Sequence, residues 1–181
     1  MSIERALELA GAVSISVATE EASLDEAHGR VLAKPLCALA ADPRFDNSAM
    51  DGWAVRESDC EQEGTRLRVV GTGQAGAAAA PPVSHGEAAR VMTGAAIPEG
   101  ADAIVMVEDS EVDGDEVLIT GPARPHYIRI RGENLEEGEE GLPAGVELTP
   151  PRLALAGTMG HATVPVIVPP KGAGISTGDE L

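Results

Sequence analysis

Residues 103–120, AIVMVEDSEVDGDEVLIT, decide the fold class of this 181-residue chain. Two apolar segments, 103–109 and 116–120, flank a polar SEVDGD segment. The pair Asp113-Gly114 within it is typical of the tight turn of a β-hairpin, because its residues tolerate the positive φ that such turns need. The stretch therefore predicts two strands, 103–109 and 116–120, joined by a turn.

Short strand-like segments with glycine and proline punctuation recur on either side of this stretch. They are residues 66–71, 88–92 and 127–131. Residues 72–86, TGQAGAAAAPPVSHG, have no periodicity and predict a loop. Several short strands in succession favour a small β-barrel or sandwich over residues of about 43–137.

The flanks of this β-rich middle carry helical patterns. The predicted helices are residues 3–12, 23–29 and 149–160, each with a glycine at or near its end. Ser23 and Glu26 have the spacing of a capping box at the start of the second helix. Residues 162–170, ATVPVIVPP, predict one further strand. The middle therefore looks like an insertion between two flanks of mixed helix and strand.

Composition excludes several classes of function. The net charge is −17, from 30 acidic and 13 basic residues, which disfavours nucleic-acid binding because phosphate affinity comes mostly from Lys and Arg. No run approaches the roughly 18 apolar residues of a membrane span, and the N-terminus lacks the basic and apolar regions of a secretory signal. The two cysteines, Cys37 and Cys60, do not suggest a disulfide framework, and they lack the spacing typical of metal ligands. We therefore expect a cytoplasmic protein without membrane or nucleic-acid partners.

Residues 42–56, DPRFDNSAMDGWAVR, contain the only Phe and the only Trp of the chain. Two interpretations are open. In the first, Phe45, Met50 and Trp53 pin a tight polar loop into the core. In the second, a rigid apolar anchor presents Asp51 to a ligand, since binding residues often lie on loops held by a rigid scaffold.

Other polar motifs have plain structural interpretations when taken singly. In residues 90–109, RVMTGAAIPEGADAIVMVED, Thr93 closes a strand before a long connection. Residues 131–138, RGENLEEG, predict a solvated acidic turn. The four histidines are too scattered to predict a metal site, and GTGQAG lacks the strand-to-helix context of a phosphate loop.

The order of the motifs carries more information than any one of them. From about residue 3 to the end, the chain resembles the molybdopterin molybdenumtransferases of bacteria and archaea, which also occur as the E domain of fusion proteins such as gephyrin. The motifs that carry the resemblance are, in order, RFDNSAMDGWAVR at 44–56, the segment at 90–109, IRIRGENLEEGEEGLPAG at 128–145 and STGDEL at 176–181.

The resemblance implies an α+β, mainly β fold in an elongated homodimer. It assigns residues 1–43 and 138–168 to a discontinuous α/β dimerisation domain and residues 44–137 to an inserted, small β-barrel-like domain. Residues 169–181 would supply only the first strand of the following α/β domain, which binds molybdopterin. We therefore expect a chain that cannot complete the reaction alone.

The implied reaction is insertion of molybdate into the dithiolene of adenylylated molybdopterin with release of AMP. A divalent ion, normally Mg²⁺, would assist by neutralising phosphate charge, and its ligands are not assigned in this chain. The alternative function is a standalone, non-catalytic module that dimerises and binds a partner supplying the cofactor-binding domain.

The resemblance also implies particular site residues. Asp51 and Thr93 match the catalytic Asp and Thr of the family, and Asp179 and Glu180 match the acidic pair of its TGDE motif. The site would lie between the inserted domain of one subunit and the α/β domain of the other.

Two further residues are predicted to bind the cofactor, Ser48 and Asn134. Asn134 departs from the family, which has RGED where this chain has RGEN. An amide keeps the size and one acceptor oxygen of the carboxylate but loses its charge. A direct role of Asn134 in ion binding or proton transfer is therefore not expected.

Overall fold

The chain is mainly β in the computed structural model, which describes residues 2–12, 16–62 and 64–171. It divides into two compact units. The flanking unit consists of Met1–Cys37 and Glu140–Leu181, and the central unit is Ala38–Glu139. The roles that the resemblance gives to these parts of the chain stay predictions.

The regular elements of the described residues are short. The helices are α1 (Ile3–Gly11) and α2 (Pro150–Thr158). The strands are β1 (Thr19–Ser23), β2 (Leu36–Cys37), β3 (Asn47–Ser48), β4 (Gly52–Val55), β5 (Arg66–Gly73), β6 (Glu87–Val91), β7 (Ala103–Met106), β8 (Ser110–Asp113), β9 (Glu116–Ile119), β10 (Ile128–Arg129), β11 (Glu140–Leu142) and β12 (Thr163–Ile167).

In the flanking unit, β1 pairs antiparallel with β12, and β2 pairs antiparallel with β11. Leu32 forms an isolated antiparallel bridge with Val166 of β12, and both side chains are completely buried. Leu148, Met159 and Val164 are also completely buried in this unit. The unit therefore has an aliphatic core of its own, as its Ala-, Leu- and Val-rich composition requires.

The central unit is built on a six-stranded sheet in the order β7-β4-β6-β5-β9-β8. Only the β5–β6 pair is parallel, and the other neighbours are antiparallel. Alternate residues of β4 belong to different apolar clusters: Trp53 and Val55 to one and Ala54 to the other. Because side chains alternate along a strand, the sheet has apolar packing on both faces.

The predicted mainly β fold is confirmed, with the difference that the sheet is an open, curled half-barrel. The predicted turn at Asp113-Gly114 is also confirmed, and Gly114 has a φ of 64°. The strand predicted at 103–109 is present as β7 over Ala103–Met106, but its predicted place in this hairpin was wrong. A 3-10 turn at Val107–Asp109 separates β7 from the hairpin, so β8 pairs with β9 and β7 pairs with β4.

The helices predicted at 3–12 and 149–160 are confirmed as α1 and α2. The short helix predicted at 23–29 is wrong, because the structure has turns after Ser23. The Ser23 hydroxyl donates to the Glu26 carboxylate at 2.8 Å, and the Gly29 N–H bonds the carbonyl of Leu148 at 3.0 Å. The side chains of Ser23 and Glu26 therefore bond each other and do not cap a helix. The Gly29 N–H bonds a distant carbonyl where a helix would bond one four residues earlier.

Neither helix of the described residues has the length and apolar character that crossing a membrane requires. The predicted cytoplasmic location stays a prediction.

Candidate functional site

A polar loop at residues 42–51 is tied along its length to two other segments of the central unit. The Asp46 carboxylate accepts a hydrogen bond from the Arg131 N–H at 2.7 Å. The Asp46 carbonyl accepts another from the Ile97 N–H at 3.0 Å. Because these bonds reach residues far away in sequence, they fix the loop against the rest of the unit.

Ser48 shapes the loop from inside. Its side chain is only 1% exposed, and its hydroxyl donates to the carbonyl of Met50 at 2.6 Å. Its backbone bonds Gly94 through the carbonyl at 2.8 Å and Ala95 through the N–H at 3.0 Å. The structure therefore gives Ser48 a positioning role between the loop and residues 92–95, and its direct binding of a cofactor stays a prediction.

Asp51 and Thr93, which the resemblance placed in one site, lie in direct contact. The Asp51 Oδ1 atom accepts the Thr93 N–H at 2.7 Å and the Thr93 hydroxyl at 3.0 Å. Both residues are exposed. A turn closed by the Ala95 N–H on the Met92 carbonyl at 2.9 Å presents these donors, and Gly94 supplies its positive φ of 81°.

These donors hold the pKa of the Asp51 carboxyl below its usual value. The largest cause is the backbone N–H of Thr93, followed by its hydroxyl. Slight burial opposes the effect and the positive charge of Arg90 adds to it. Asp51 is therefore charged at neutral pH, and its Oδ2 atom makes no hydrogen bond to the described residues, so it is available to a ligand.

Arg90, a residue that the sequence reasoning missed, lies behind this pair. Its guanidinium stacks over the Trp53 ring, 5.4 Å from the centroid. The Nη1 atom donates to the carbonyl of Gly52 at 2.8 Å and to that of Val91 at 3.4 Å. Its position three residues before Thr93, on a strand, was the signal that could have drawn attention to it.

A second support reaches Asp51 through its own carbonyl, which accepts the Val107 N–H at 3.1 Å. The Val107 carbonyl accepts the Ser110 hydroxyl at 2.8 Å. The same hydroxyl accepts the Trp53 indole N–H at 2.8 Å. The buried Trp53 therefore fixes the backbone of Asp51 through a chain of three hydrogen bonds.

Asn134 lies at the other end of the polar loop. Its side-chain amide donates to the Asp42 carboxylate at 2.8 Å, and its oxygen accepts from Arg129 at 3.4 Å. It makes no hydrogen bond to Asp51 or Thr93, so its predicted role in cofactor binding stays a prediction. The amide suits this place because it donates to a carboxylate, whereas the Asp of the family would bring a second negative charge.

The remaining predicted site residues, Asp179 and Glu180, lie outside the described residues, and their role stays a prediction.

The two aromatic residues of the 42–56 stretch, Phe45 and Trp53, have opposite environments. Trp53 is 3% exposed and anchors the loop, whereas Phe45 is 48% exposed. The interpretation in which both residues pin the loop into the core is therefore wrong for Phe45.

The predicted Mg²⁺ has no ready site in the described residues. Across residues 2–12, 16–62 and 64–171, no three His, Cys, Asp or Glu side chains lie close enough together to hold a metal ion. Asp51 uses one oxygen for Thr93 and offers only the other. The described residues therefore do not fit a magnesium site by themselves, and no step is assigned to the ion.

A cleft of about 460 Å³ beside the 3-10 turn Glu57–Cys60 is a less suitable place for chemistry. Burial, aided by the charges of Asp59 and Asp102, raises the pKa of the Cys60 thiol to about 11. The thiol is therefore protonated at neutral pH and is a poor nucleophile. Cys37, which is exposed, is also a free cysteine.

Comparisons with known proteins show which family the chain belongs to. A family model described as the MoeA N-terminal region (domain I and II) matches residues 1–160. The chain therefore belongs to the MoeA N-terminal region family.

Curated relatives and solved structures extend the match. Molybdopterin molybdenumtransferase of Haemophilus influenzae is 40% identical over 165 residues, which cover 90% of this chain and 41% of the relative. The protein of that name from Synechococcus elongatus is 39% identical over 191 residues, covering 100% of this chain and 47% of the relative. A crystal structure of a molybdopterin biosynthesis MoeA protein from Pyrococcus horikoshii superposes with a TM-score of 0.81 at 33% identity, covering 92% of this chain and 44% of that one. The chain thus spans less than half the length of these relatives.

Proposed function

We propose that this chain is the N-terminal part of a molybdopterin molybdenumtransferase, which inserts molybdate into adenylylated molybdopterin and releases AMP. Membership of the family and the names of the relatives support the class of reaction. The observation that carries the proposal is the exposed pair of Asp51 and Thr93, a charged carboxylate held in one orientation with one oxygen free.

Release of AMP requires water to cleave a phosphoanhydride bond. The water oxygen bonds to phosphorus, the bond from that phosphorus to the bridging oxygen breaks, and the water gives up a proton to solvent. The free Oδ2 atom of Asp51 is suited to accept a hydrogen bond from this water and to aim its lone pair. Thr93 holds the other carboxylate oxygen, so the orientation is prepared before the substrate binds.

The rest of the site comes from outside the described residues. The chain covers 41% and 47% of the two relatives named above, and its charge of −17 opposes an anionic substrate. We propose that Asp179, Glu180 and the α/β cofactor-binding domain of the partner subunit complete the cleft. The 181-residue chain alone is then inactive in molybdenum insertion.

The partner subunit in this proposal is a second copy of the chain. Helix α1 supports a homodimer, because none of its residues is buried in the chain. Its apolar residues Ile3 and Leu7 are 77% and 69% exposed, and a second copy would remove them from water. Sedimentation at tens of micromolar is expected to give a dimer, and a monomer in both low and molar salt would contradict the proposal.

A second candidate function is a non-catalytic module that dimerises and binds a separate cofactor-binding protein. The exposed apolar residues of α1 support it, because they offer a contact surface whether or not the chain takes part in catalysis. The two candidates differ in what Asp51 does: a binding module needs no free carboxylate oxygen at this position.

The experiment supplies the chain with the cofactor-binding region of a full-length relative in trans, adenylylated molybdopterin, molybdate and Mg²⁺, and follows AMP release and active cofactor. The test variant is Asp51→Ala. Its matched control is Asp115→Ala, which removes an exposed carboxylate from the hairpin turn. Asp51→Ala is expected to lower AMP release about a hundredfold or more, and Asp115→Ala is expected to leave it unchanged.

Equal activity of the two variants would show that Asp51 is not catalytic. If the wild-type mixture forms a complex but releases no AMP, the binding-module function is favoured. Activity of the chain alone, comparable with that of a full-length relative, would show that the cleft lies within this chain.

A further inference from the structure

We infer that Arg90 is a positioning residue of this site: its guanidinium holds the Gly52 carbonyl and thereby keeps Asp51 in contact with Thr93. The contact itself is a property of this chain. Its value for catalysis rests on the proposed function, and the experiment below separates the two.

The position of Arg90 in the sheet suits this role. On β6 it is the direct antiparallel partner of Trp53 on β4. Side chains of directly opposite residues lie on the same face and in reach of each other, which places the guanidinium over the indole ring. From there the guanidinium reaches back along β4 and donates to the carbonyl of Gly52, the residue directly after Asp51.

Arg90 also contacts both strands that lead to Asp51 and Thr93. Its Nη1 atom bonds the Gly52 carbonyl on β4 and, more weakly, the Val91 carbonyl on β6. Asp51 directly precedes Gly52, and Thr93 follows Val91 by two residues. One guanidinium thus bridges the two backbone segments from which the carboxylate and its donors project.

The chemistry of the arginine side chain suits the same role. A guanidinium is planar, carries several donors in a fixed fork and stacks on aromatic faces, whereas an ammonium is a compact charge without these directions. Arg90 uses both properties at once, on Trp53 and on the Gly52 carbonyl. Its positive charge also makes a small contribution to the lowered pKa of the Asp51 carboxyl.

The experiment compares Arg90→Met and Arg90→Lys with wild type. The matched control is Arg66→Met, on β5 of the same sheet, whose arginine pairs with Asp113 and Glu116 instead. The first readout is the amide proton resonance of Thr93 in the 181-residue chain at neutral pH. A short bond to a carboxylate shifts this proton downfield, and Asp51→Ala gives the reference position without the bond.

In Arg90→Met the Thr93 resonance is expected to move most of the way to the Asp51→Ala position. Arg90→Lys should give an intermediate shift, and Arg66→Met none. If Arg90→Met lowers the melting temperature but leaves the resonance in place, Arg90 is only structural and the inference is wrong. If Arg90→Met does not fold, Arg90→Lys decides: an unchanged resonance in that variant would overturn the inference.

The second readout is AMP release with the cofactor-binding region supplied in trans. Arg90→Met is expected to lower kcat about tenfold to a hundredfold with little change in KM, because misplacement of a group affects the chemical step. An unchanged kcat together with a shifted resonance would overturn the catalytic part of the inference. Inactivity of the wild-type mixture would instead count against the proposed function, while the resonance still tests the positioning.

Discussion

The indole N–H of Trp53 donates a 2.8 Å hydrogen bond to the hydroxyl of Ser110, fifty-seven residues further along the chain. Ser110 passes the constraint to the Val107 carbonyl, and the Val107 N–H holds the carbonyl of Asp51. The only Trp of the chain therefore has two tasks. It fills one apolar cluster of the sheet, and it fixes the backbone of a candidate catalytic residue.

Trp53→Phe is expected to destabilise the chain by about 1–3 kcal/mol. The ring remains apolar, but the Ser110 hydroxyl loses a donor, and the smaller ring leaves space in the core. Urea unfolding measures the change. A double-mutant cycle with Ser110→Ala separates the hydrogen bond from the packing, and a coupling energy of zero would show that the 2.8 Å contact contributes nothing to stability.

Thr93→Val is expected to raise the pKa of Asp51 part of the way to its ordinary value. The variant removes the hydroxyl donor, but the backbone N–H, which is the larger cause of the lowered pKa, remains. Thr93→Ser keeps both donors and should leave the pKa where it is. Carboxyl ¹³C resonances followed against pH measure both. An equal pKa in wild type and Thr93→Val would show that the 3.0 Å hydroxyl contact is not made in solution.

The fold was predictable from sequence wherever local chemistry decides the structure. The Asp113-Gly114 turn and the helices α1 and α2 depend on residues close together in sequence, and all three are present. The helix predicted at 23–29 does not form because tertiary contacts decide the structure there. The Gly29 N–H bonds the carbonyl of Leu148, a partner that no local sequence pattern can show.

The site was predictable only in part. Asp51 and Thr93 came from the resemblance, since single-sequence patterns gave each of them a plain structural role. Arg90 was missed because strand pairing brings it to Gly52 from 38 residues away in sequence. Ser110 was missed because a side-chain contact between strands that are not neighbours brings it to Trp53 from 57 residues away. Periodicity assigns residues to strands, but it does not say which strands are neighbours.

Gly52→Ala is expected to destabilise the chain by about 2–3 kcal/mol or more. A Cβ at this position would collide with the Val105 carbonyl oxygen and lie 2.9 Å from Cγ2 of Ile104. Both atoms belong to β7, which pairs with β4, so neither can move without opening the sheet. Thermal or urea unfolding measures the loss.

The matched control for this prediction is Gly157→Ala in α2. Its Cβ would meet only Cδ1 of Leu24, at an ordinary contact distance of 3.5 Å. Since alanine favours helix over glycine, the control is expected to be neutral or stabilising by up to about 1 kcal/mol. A Gly52→Ala variant as stable as the control would contradict the close packing of β4 against β7.

His85→Ala is expected to weaken the chain at neutral pH and much less in acid. Burial raises the pKa of Asp59, whose side chain is 3% exposed, but the Gly86 N–H and the His85 ring outweigh burial and lower it. A lowered carboxyl pKa contributes stability that is present above the unfolded pKa and is lost as the pH falls through the folded one. Removing the ring raises the pKa of Asp59 and reduces that contribution.

The measurement is the melting temperature of wild type and variant at several pH values from about 3 to 7. The difference in melting temperature should be largest near neutral pH and should shrink on acidification. It corresponds to about 1 kcal/mol or less in the free energy of unfolding, because the ring is exposed. His28→Ala, which removes an exposed imidazole elsewhere, is the control. A difference that is constant with pH would point to lost packing in place of the contact between the His85 ring and the Asp59 carboxylate.

Asn134→Asp is expected to destabilise the chain increasingly as the pH rises from about 3 to 7. In the structure the Asn134 amide donates to the Asp42 carboxylate at 2.8 Å, and the substitution replaces this donor by a second carboxylate. Two carboxylates at this distance repel each other when both are charged, and acid removes the repulsion. The nearby Arg129 guanidinium, 3.4 Å from the Asn134 oxygen, and the exposure of the site limit the cost to about 1 kcal/mol or less.

Melting curves against pH for wild type, Asn134→Asp, and the double variant Asp42→Asn with Asn134→Asp measure the effect. The double variant exchanges amide and carboxylate, so it should regain most of the lost stability at neutral pH. If Asn134→Asp melts like wild type at every pH, the amide-to-carboxylate bond is not formed in solution, and the departure from the family motif at this position has no structural consequence.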